Sequence, residues 1–234
     1  MPAGRFPPAR RTCSTAGCPP ATCGPCCSAS PGPARPRRPR DRVVTTTRLT
    51  EVVSDSTNAL AVEAAVRRRA GADVVHLAAC QRQLRAQDFG PGASSHFRLL
   101  CLVSSARDRG GRRTDADLLA LHLSTWSSVL SALVPRARLQ VTLFDDPVLA
   151  ERWRDTVLPA LPGAVPVIED PARAQGRGYY RGVSFTLMAM DPDGADVELG
   201  DGGATRWTAR LLGDAKERCL VSCVATERLA TLTG

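Results

Sequence analysis

Aromatic residues make up only 4% of this 234-residue sequence, so aliphatic side chains and alanine must fill its interior. No apolar run approaches the roughly 18–20 residues needed to cross a bilayer, and no membrane-spanning helix is expected. The arginines near the N-terminus are not followed by an apolar stretch, which argues against a secretory signal. Acid is almost missing from the first 42 residues, as in a mitochondrial presequence. Proline at that density, however, prevents the amphipathic helix such a presequence needs. A cytoplasmic location is the expectation. Lysine is reduced to Lys216 among 31 basic residues. No Walker-type loop, Ser-His-Asp order or dinucleotide-binding glycine fingerprint occurs. After residue 42, no His, Cys and acid stand at metal-ligand spacing.

What charge there is lies unevenly. Eight arginines fall within residues 1–42 against Asp41 alone, so most of the formal +8 sits there and the remainder is nearly neutral. Only this leader could contact phosphate without sequence preference. It also holds ten of the 18 prolines and five of the nine cysteines. It shows no apolar period, and such a stretch cannot bury enough surface to offset its ordering entropy. Cys23 and Cys26 have the first spacing of a zinc knuckle, but no matching second pair or His follows. A disordered leader and a misassigned start both fit residues 1–42. With 43% hydrophobic residues, positions 43–234 suffice for one medium domain. Cys80, Cys101, Cys219 and Cys223 lie in apolar segments and read as small buried hydrophobes.

Asp55-Ser56-Thr57-Asn58 offers N-cap side chains to an alanine-rich helix that ends in Arg67-Arg68-Arg69 and stops at Gly71. Asp73 to Ala79 reads as a buried strand. Gln81 to Gln87 and His96 to Ser104 read as paired strands around Gly90-Pro91-Gly92. Thr114 is expected to cap a long amphipathic helix over Asp115 to Leu133. Leu139 to Phe144 alternates as a strand, and Pro147 opens a helix to about Leu161. Val183 to Met190 and Asp196 to Leu199 predict a hairpin around Asp191-Pro192-Asp193-Gly194. A short helix over Arg206 to Leu212, a strand over Arg218 to Ala225 and a helix over Thr226 to Leu232 close the chain. This order predicts an α+β domain built on an antiparallel sheet flanked by helices.

Three segments, in order, carry a resemblance. Arg82-Gln83-Leu84-Arg85-Ala86-Gln87, a loop, and Ser95-His96-Phe97-Arg98 resemble motif 2 of class II aminoacyl-tRNA synthetases. Gly178-Tyr179-Tyr180-Arg181-Gly182 is similar to the paired-tyrosine histidine-binding motif of histidyl-tRNA synthetases. Cys223-Val224-Ala225-Thr226-Glu227-Arg228-Leu229 resembles motif 3. Gly200-Asp201-Gly202-Gly203 stands where that family has a glycine-rich turn before a short helix. The ordered set spans about residues 43–232 and is more specific than any one motif.

The resemblance implies a histidyl-tRNA-synthetase-like core that binds ATP, with Mg²⁺, and an amino acid or analogue. Arg85, Gln87, Phe97 and Arg228 would hold the nucleotide, with Arg85 and Arg228 as catalytic guanidiniums. Asp55 and Thr57 would meet the amino group, and Tyr179 and Tyr180 the side chain. The chemistry suits these types, because adenylate formation builds charge on phosphoryl oxygens and guanidiniums are permanently charged, forked donors.

Departures from the pattern limit the expectation. Gln175 stands at the family's arginine position, with Arg173 and Arg177 two residues to either side. Leu99 and Val103 replace polar contacts to the amino acid, and Ala225 replaces a glycine. No counterpart of motif 1 precedes Val43, and no anticodon-binding domain follows Gly234, so tRNA is not an expected partner. Two functional readings stay open beside a third, an inactive remnant of a truncated gene. One is an amino-acid-activating ligase serving a non-tRNA acceptor. The other is a non-catalytic regulatory subunit like that of ATP phosphoribosyltransferase. A homodimer or a catalytic partner subunit would accompany them. For Arg85 and Arg228 the plain alternative is a surface ion pair, for instance with Glu227. For Tyr179 and Tyr180 it is strand packing. His76, His96 and His122 read as structural. The Arg107–Arg113 turn reads as solvated or as a phosphate cover.

Overall fold

The computed structural model describes residues 43–48, 50–86 and 94–233. The leader, Gln87 and the Gly90-Pro91-Gly92 turn lie outside these residues. Helix α1 (Ser56–Arg69) precedes a long hairpin of β1 (Val74–Leu84) and β2 (His96–Arg107). Helix α2 (Arg113–Leu133) and strand β3 (Arg138–Leu143) follow. The chain then forms α3 (Pro147–Arg152), a π-helical turn over Trp153–Val157, α4 (Leu158–Ala160) and β4 (Val167–Glu169). A second hairpin joins β5 (Val183–Met190) to β6 (Asp196–Thr205). Last come α5 (Trp207–Leu212), β7 (Glu217–Ala225) and α6 (Thr226–Thr233).

The seven strands form one sheet in the order β1-β2-β7-β6-β5-β3-β4. All neighbours are antiparallel except β3 and β4, which run parallel, so the expected α+β antiparallel sheet is present with one parallel edge. Alternation along the strands sends side chains to two faces. On one face Leu220 and Val224 of β7 and Phe185 and Leu187 of β5 pack with Leu119, Leu123 and Trp126 of α2. On the other, Val75, Val103, Val221 and Tyr180 pack with Ala61 and Ala64 of α1. Few aromatics are needed: Trp126, Trp153 and Phe185 are fully buried and the rest of the main core is mostly aliphatic.

Local chemistry explains the elements and the departures from expectation. Asp55, extended at φ −157°, accepts the Thr57 N–H and caps α1 as its sequence predicts. Thr114 does not cap α2. That helix starts after Arg112 in the left-handed region at φ 56°. The Thr114 hydroxyl instead donates to the Arg107 carbonyl and accepts from the Arg109 N–H, both at 3.1 Å. The two expected strands within 73–87 are one continuous strand, β1. Gly200-Asp201-Gly202-Gly203 is not a turn but the middle of β6. Close approach explains two of its glycines: a Cβ on Gly202 would come within 2.5 Å of Phe185 and Ser222, and one on Gly203 within 2.6 Å of Tyr180. Cys101 and Cys219 are buried as expected, but Cys80 is exposed on the edge strand.

Behind the sheet, His122 of α2 is fully enclosed. Its Nδ1 lies 2.7 Å from Ser222 Oγ and its Nε2 2.8 Å from Ser104 Oγ, which also meets Nδ1 of His76 at 2.8 Å. Trp126 Nε1 donates to Ser222 at 2.9 Å. Burial first, and the neighbouring His76 second, push the His122 pKa down to about 3, so the ring is neutral. His122 is thus a structural histidine. Among the described residues no helix is long and apolar enough to cross a membrane.

Candidate functional site

The site forms on the α1 face of the sheet, where the end of β1 meets the N-terminus of α1. Asp55 Oδ1 accepts from both the backbone and the hydroxyl of Thr57, at 2.9 and 2.7 Å. Its other oxygen stands 3.6 Å from Arg85 Nη2. Arg85 follows β1 directly. Its Nε donates to the Ser54 carbonyl at 2.8 Å, and its guanidinium lies 5.1 Å above the centre of the Phe97 ring. Asp55, Thr57, Arg85 and Phe97, widely spaced in sequence, are therefore neighbours. Glu227, the acid offered above as a surface partner for Arg85, pairs with Arg82 instead.

Arg85 and Asp55 open onto a cavity of about 580 Å³ that is also lined by Tyr179, Arg206 and Trp207. That volume is in the range of small-molecule sites. The two tyrosines divide their roles. Tyr179 is 43% exposed and faces the cavity, its hydroxyl accepting from Trp207 Nε1 at 3.2 Å. Tyr180 is 7% exposed, packs edge-on against Tyr179 at 4.9 Å and fills the space left by Gly203. It is a packing residue as well as a neighbour of the site.

Deeper on the same face lies a charged cluster that sequence reasoning did not assign. Arg173 has a side chain only 8% exposed and pairs with Asp201 at 3.2 Å, while its buried Nη1 has no hydrogen-bond partner. Burial pushes the Asp201 carboxyl up, opposed by Arg173 and by the adjacent Tyr180 hydroxyl. Glu198, exposed at the edge of this cluster, is pushed up by partial desolvation and by Asp201. Arg173, two residues before Gln175, is thus the guanidinium this segment turns inward. The sequence named Arg173 and Arg177 as flanking candidates without deciding between them, and the acid at Asp201 in β6 is the signal that selects Arg173.

Arg228 emerges at the same end of the central strands as Arg85, because β1 and β7 run in the same direction. It does not line the cavity. Its Nη1 donates to the Glu198 carbonyl at 2.8 Å. Gln87 lies outside the described residues. The Arg107–Arg113 turn is held by acids, Arg107 on Asp214, Arg109 on Asp117 and Arg112 on Asp146. Leu99 and Val103 are buried apolar wall.

Sheet order and the placement of α1 give a fold of the class II aminoacyl-tRNA synthetase kind. Among solved structures, the fold is similar to apo histidyl-tRNA synthetase of S. aureus, with TM-score 0.57, 18% identity, and coverage of 81% of this chain and 54% of that one. It is also similar to an ATP phosphoribosyltransferase regulatory subunit/histidyl-tRNA synthetase from Bacillus halodurans C, with TM-score 0.61, 12% identity, and coverage of 83% and 69%. A histidine–tRNA ligase subunit from Alicyclobacillus acidocaldarius gives TM-score 0.52 at 15% identity, covering 76% and 75%. At these identities the likeness is one of fold. The chain spans little more than half the length of the S. aureus enzyme. No protein-family model and no curated protein matches the sequence.

Proposed function

We propose that this chain is a synthetase-like core that binds ATP and an amino acid or analogue, and activates the carboxylate as an adenylate for a non-tRNA acceptor. The observation that supports this reading is the meeting of Asp55, Arg85 and Tyr179 at one cavity. A carboxylate to receive an ammonium group, an anchored guanidinium to receive phosphate and an aromatic wall are the complement such a ligand pair requires. Arg85 is anchored through Nε, and its Nη2 stands 3.6 Å from Asp55 Oδ2, so an ammonium and a phosphate would share this charge pair between them. In the reaction a substrate carboxylate oxygen bonds to the α-phosphorus as the α–β bridging bond breaks and pyrophosphate leaves. Arg85 offsets the charge that builds on the phosphoryl oxygens. No group of three His, Cys or acidic side chains able to hold a metal occurs among the described residues. Mg²⁺ in this reading therefore enters on the phosphates of ATP.

The test is amino-acid-dependent pyrophosphate–ATP exchange by the purified chain across the common amino acids. Exchange with at least one, lost in Arg85→Ala, supports the reading. Absence of exchange with every one removes catalysis from it. A second reading, a non-catalytic regulatory subunit that works with a catalytic partner, is favoured by Arg228, whose guanidinium is occupied by the Glu198 carbonyl outside the cavity. It predicts amino-acid binding by calorimetry with no exchange.

A further inference from the structure

The cavity is rich in arginine. Arg181, Arg206 and Arg210 all line it, and none of their guanidiniums makes a hydrogen bond or ion pair among the described residues. Elsewhere arginines on this chain are mostly held: Arg68 on Glu217, Arg112 on Asp146, Arg138 on Asp196 and Arg218 on Asp108 and Asp115. Among the described residues Asp55 is the one carboxylate lining this cavity, and it stands 3.6 Å from Arg85 Nη2. The backbone gathers the three unpaired groups. Arg181 N–H donates to the Ala204 carbonyl at 2.8 Å, which sets Arg181 beside the end of β6 just before Arg206. Arg210 N–H donates to the Arg206 carbonyl at 2.9 Å, so those two side chains stand one turn apart on the same side. Trp207 and Tyr179 supply flat apolar surface to the same cavity, tied by the Trp207 Nε1 bond to the Tyr179 hydroxyl.

Like charges gathered at one concave wall repel one another and attract an anion. We infer that the amino acid taken by this cavity carries an oxyanion at its far end, a carboxylate or a phosphate monoester, seated on Arg181, Arg206 and Arg210. This inference rests on the reading in which Asp55 receives the amino group. One lining carboxylate with three unpaired guanidiniums and an aromatic surface among the described residues matches an α-amino acid with an acidic side chain. It does not match a neutral or cationic one.

Isothermal titration of the full chain with L-glutamate, L-aspartate, O-phospho-L-serine, L-glutamine, L-histidine and ATP tests it. At least one of the three acidic compounds binds at least about ten-fold more tightly than glutamine and histidine, the order expected for a charge-assisted contact. Arg206→Ala with Arg210→Ala removes that preference, whereas Arg206→Lys with Arg210→Lys retains most of it, which separates charge from folding. Tighter binding of glutamine or histidine overturns the inference and leaves the amino-acid and ATP reading standing. So does a fall in ATP affinity, rather than acidic amino-acid affinity, in the double alanine variant, since the arginines would then belong to the nucleotide. Binding of no amino acid and no ATP by the wild-type chain overturns both.

Discussion

Arg68 of α1 and Glu217 of β7 form a two-pronged ion pair, Nε to Oε2 at 2.9 Å and Nη2 to Oε1 at 2.8 Å, with side chains only 8% and 5% exposed. Geometry of this kind fits the forked guanidinium to both carboxylate oxygens. It joins the C-terminal turn of α1 to the central sheet. The opposite end of the same helix carries Asp55, so the pair helps to set where the cavity's carboxylate stands.

Removing one partner leaves a buried charge without its counter-ion. Arg68→Ala is expected to cost about 3–5 kcal/mol of unfolding free energy, measured by urea titration. Arg67→Ala serves as the control: its Glu63 pair is about half exposed and worth at most a few tenths of a kcal/mol. Equal losses from the two substitutions would refute a special role for the Arg68 pair.

A second expectation concerns the slot that holds Tyr180. A Cβ on Gly203 would meet Tyr180 Cδ1 and the Val183 carbonyl oxygen, each at 2.6 Å. The tyrosine ring could swing aside, but the carbonyl belongs to the neighbouring strand and cannot. Gly203→Ala should therefore destabilise by about 1–3 kcal/mol, as overpacking does. Because Tyr180 packs on Tyr179, the change should also alter ligand affinity. An alanine variant of wild-type stability and affinity would contradict the close approach.

Much of this architecture can be read along the chain. Strand β5, the Asp55 cap and the two hairpins follow from alternation and turn residues, and the ordered motifs point to the fold. The misses have physical causes. Strand β4 is three residues long and pairs in parallel over three positions, too short to show a period. Glycine is a weak strand former, so β6 seemed to end before Gly200, although Phe185, Ser222 and Tyr180 fill the space where side chains would be. Asp55, Arg85 and Tyr179, named from the resemblance, come together at one cavity. Arg173 was off by two residues, and Arg181, Arg206 and Arg210 resembled ordinary surface charge until the fold set them at one wall. Whether a surface arginine is paired depends on contacts remote in sequence.

His122 makes stability depend on pH in the acid range. Its folded pKa of about 3 lies below the ordinary histidine value of 6.5, so the unfolded chain binds the proton more readily. The contribution is therefore complete above about pH 6.5 and is lost as pH falls toward 3, with a slope of at most about 1.4 kcal/mol per pH unit. Carboxylates titrate in part of this window, so the useful quantity is the difference from His122→Gln. The variant is less stable at pH 7, since it disturbs contacts to Ser104 and Ser222. Its stability should nevertheless fall less steeply than the wild type's between pH 6.5 and 5. Parallel curves would show that His122 does not carry the dependence.

The sharpest separation of structure from function is available at Asp55, which has two tasks on two oxygens. Oδ1 caps α1 through the Thr57 N–H and hydroxyl, while Oδ2 faces Arg85 across 3.6 Å. Asparagine caps helices about as well as aspartate, so Asp55→Asn should change stability by no more than about 0.5 kcal/mol. Alanine removes the cap and should cost about 0.5–2 kcal/mol. A ligand ammonium, by contrast, needs the negative charge that both substitutions remove. Both variants should thus lose at least about ten-fold in amino-acid affinity, although only one loses stability. Full affinity in Asp55→Asn would make Asp55 a helix cap alone, and the ammonium would have to be received elsewhere in the cavity.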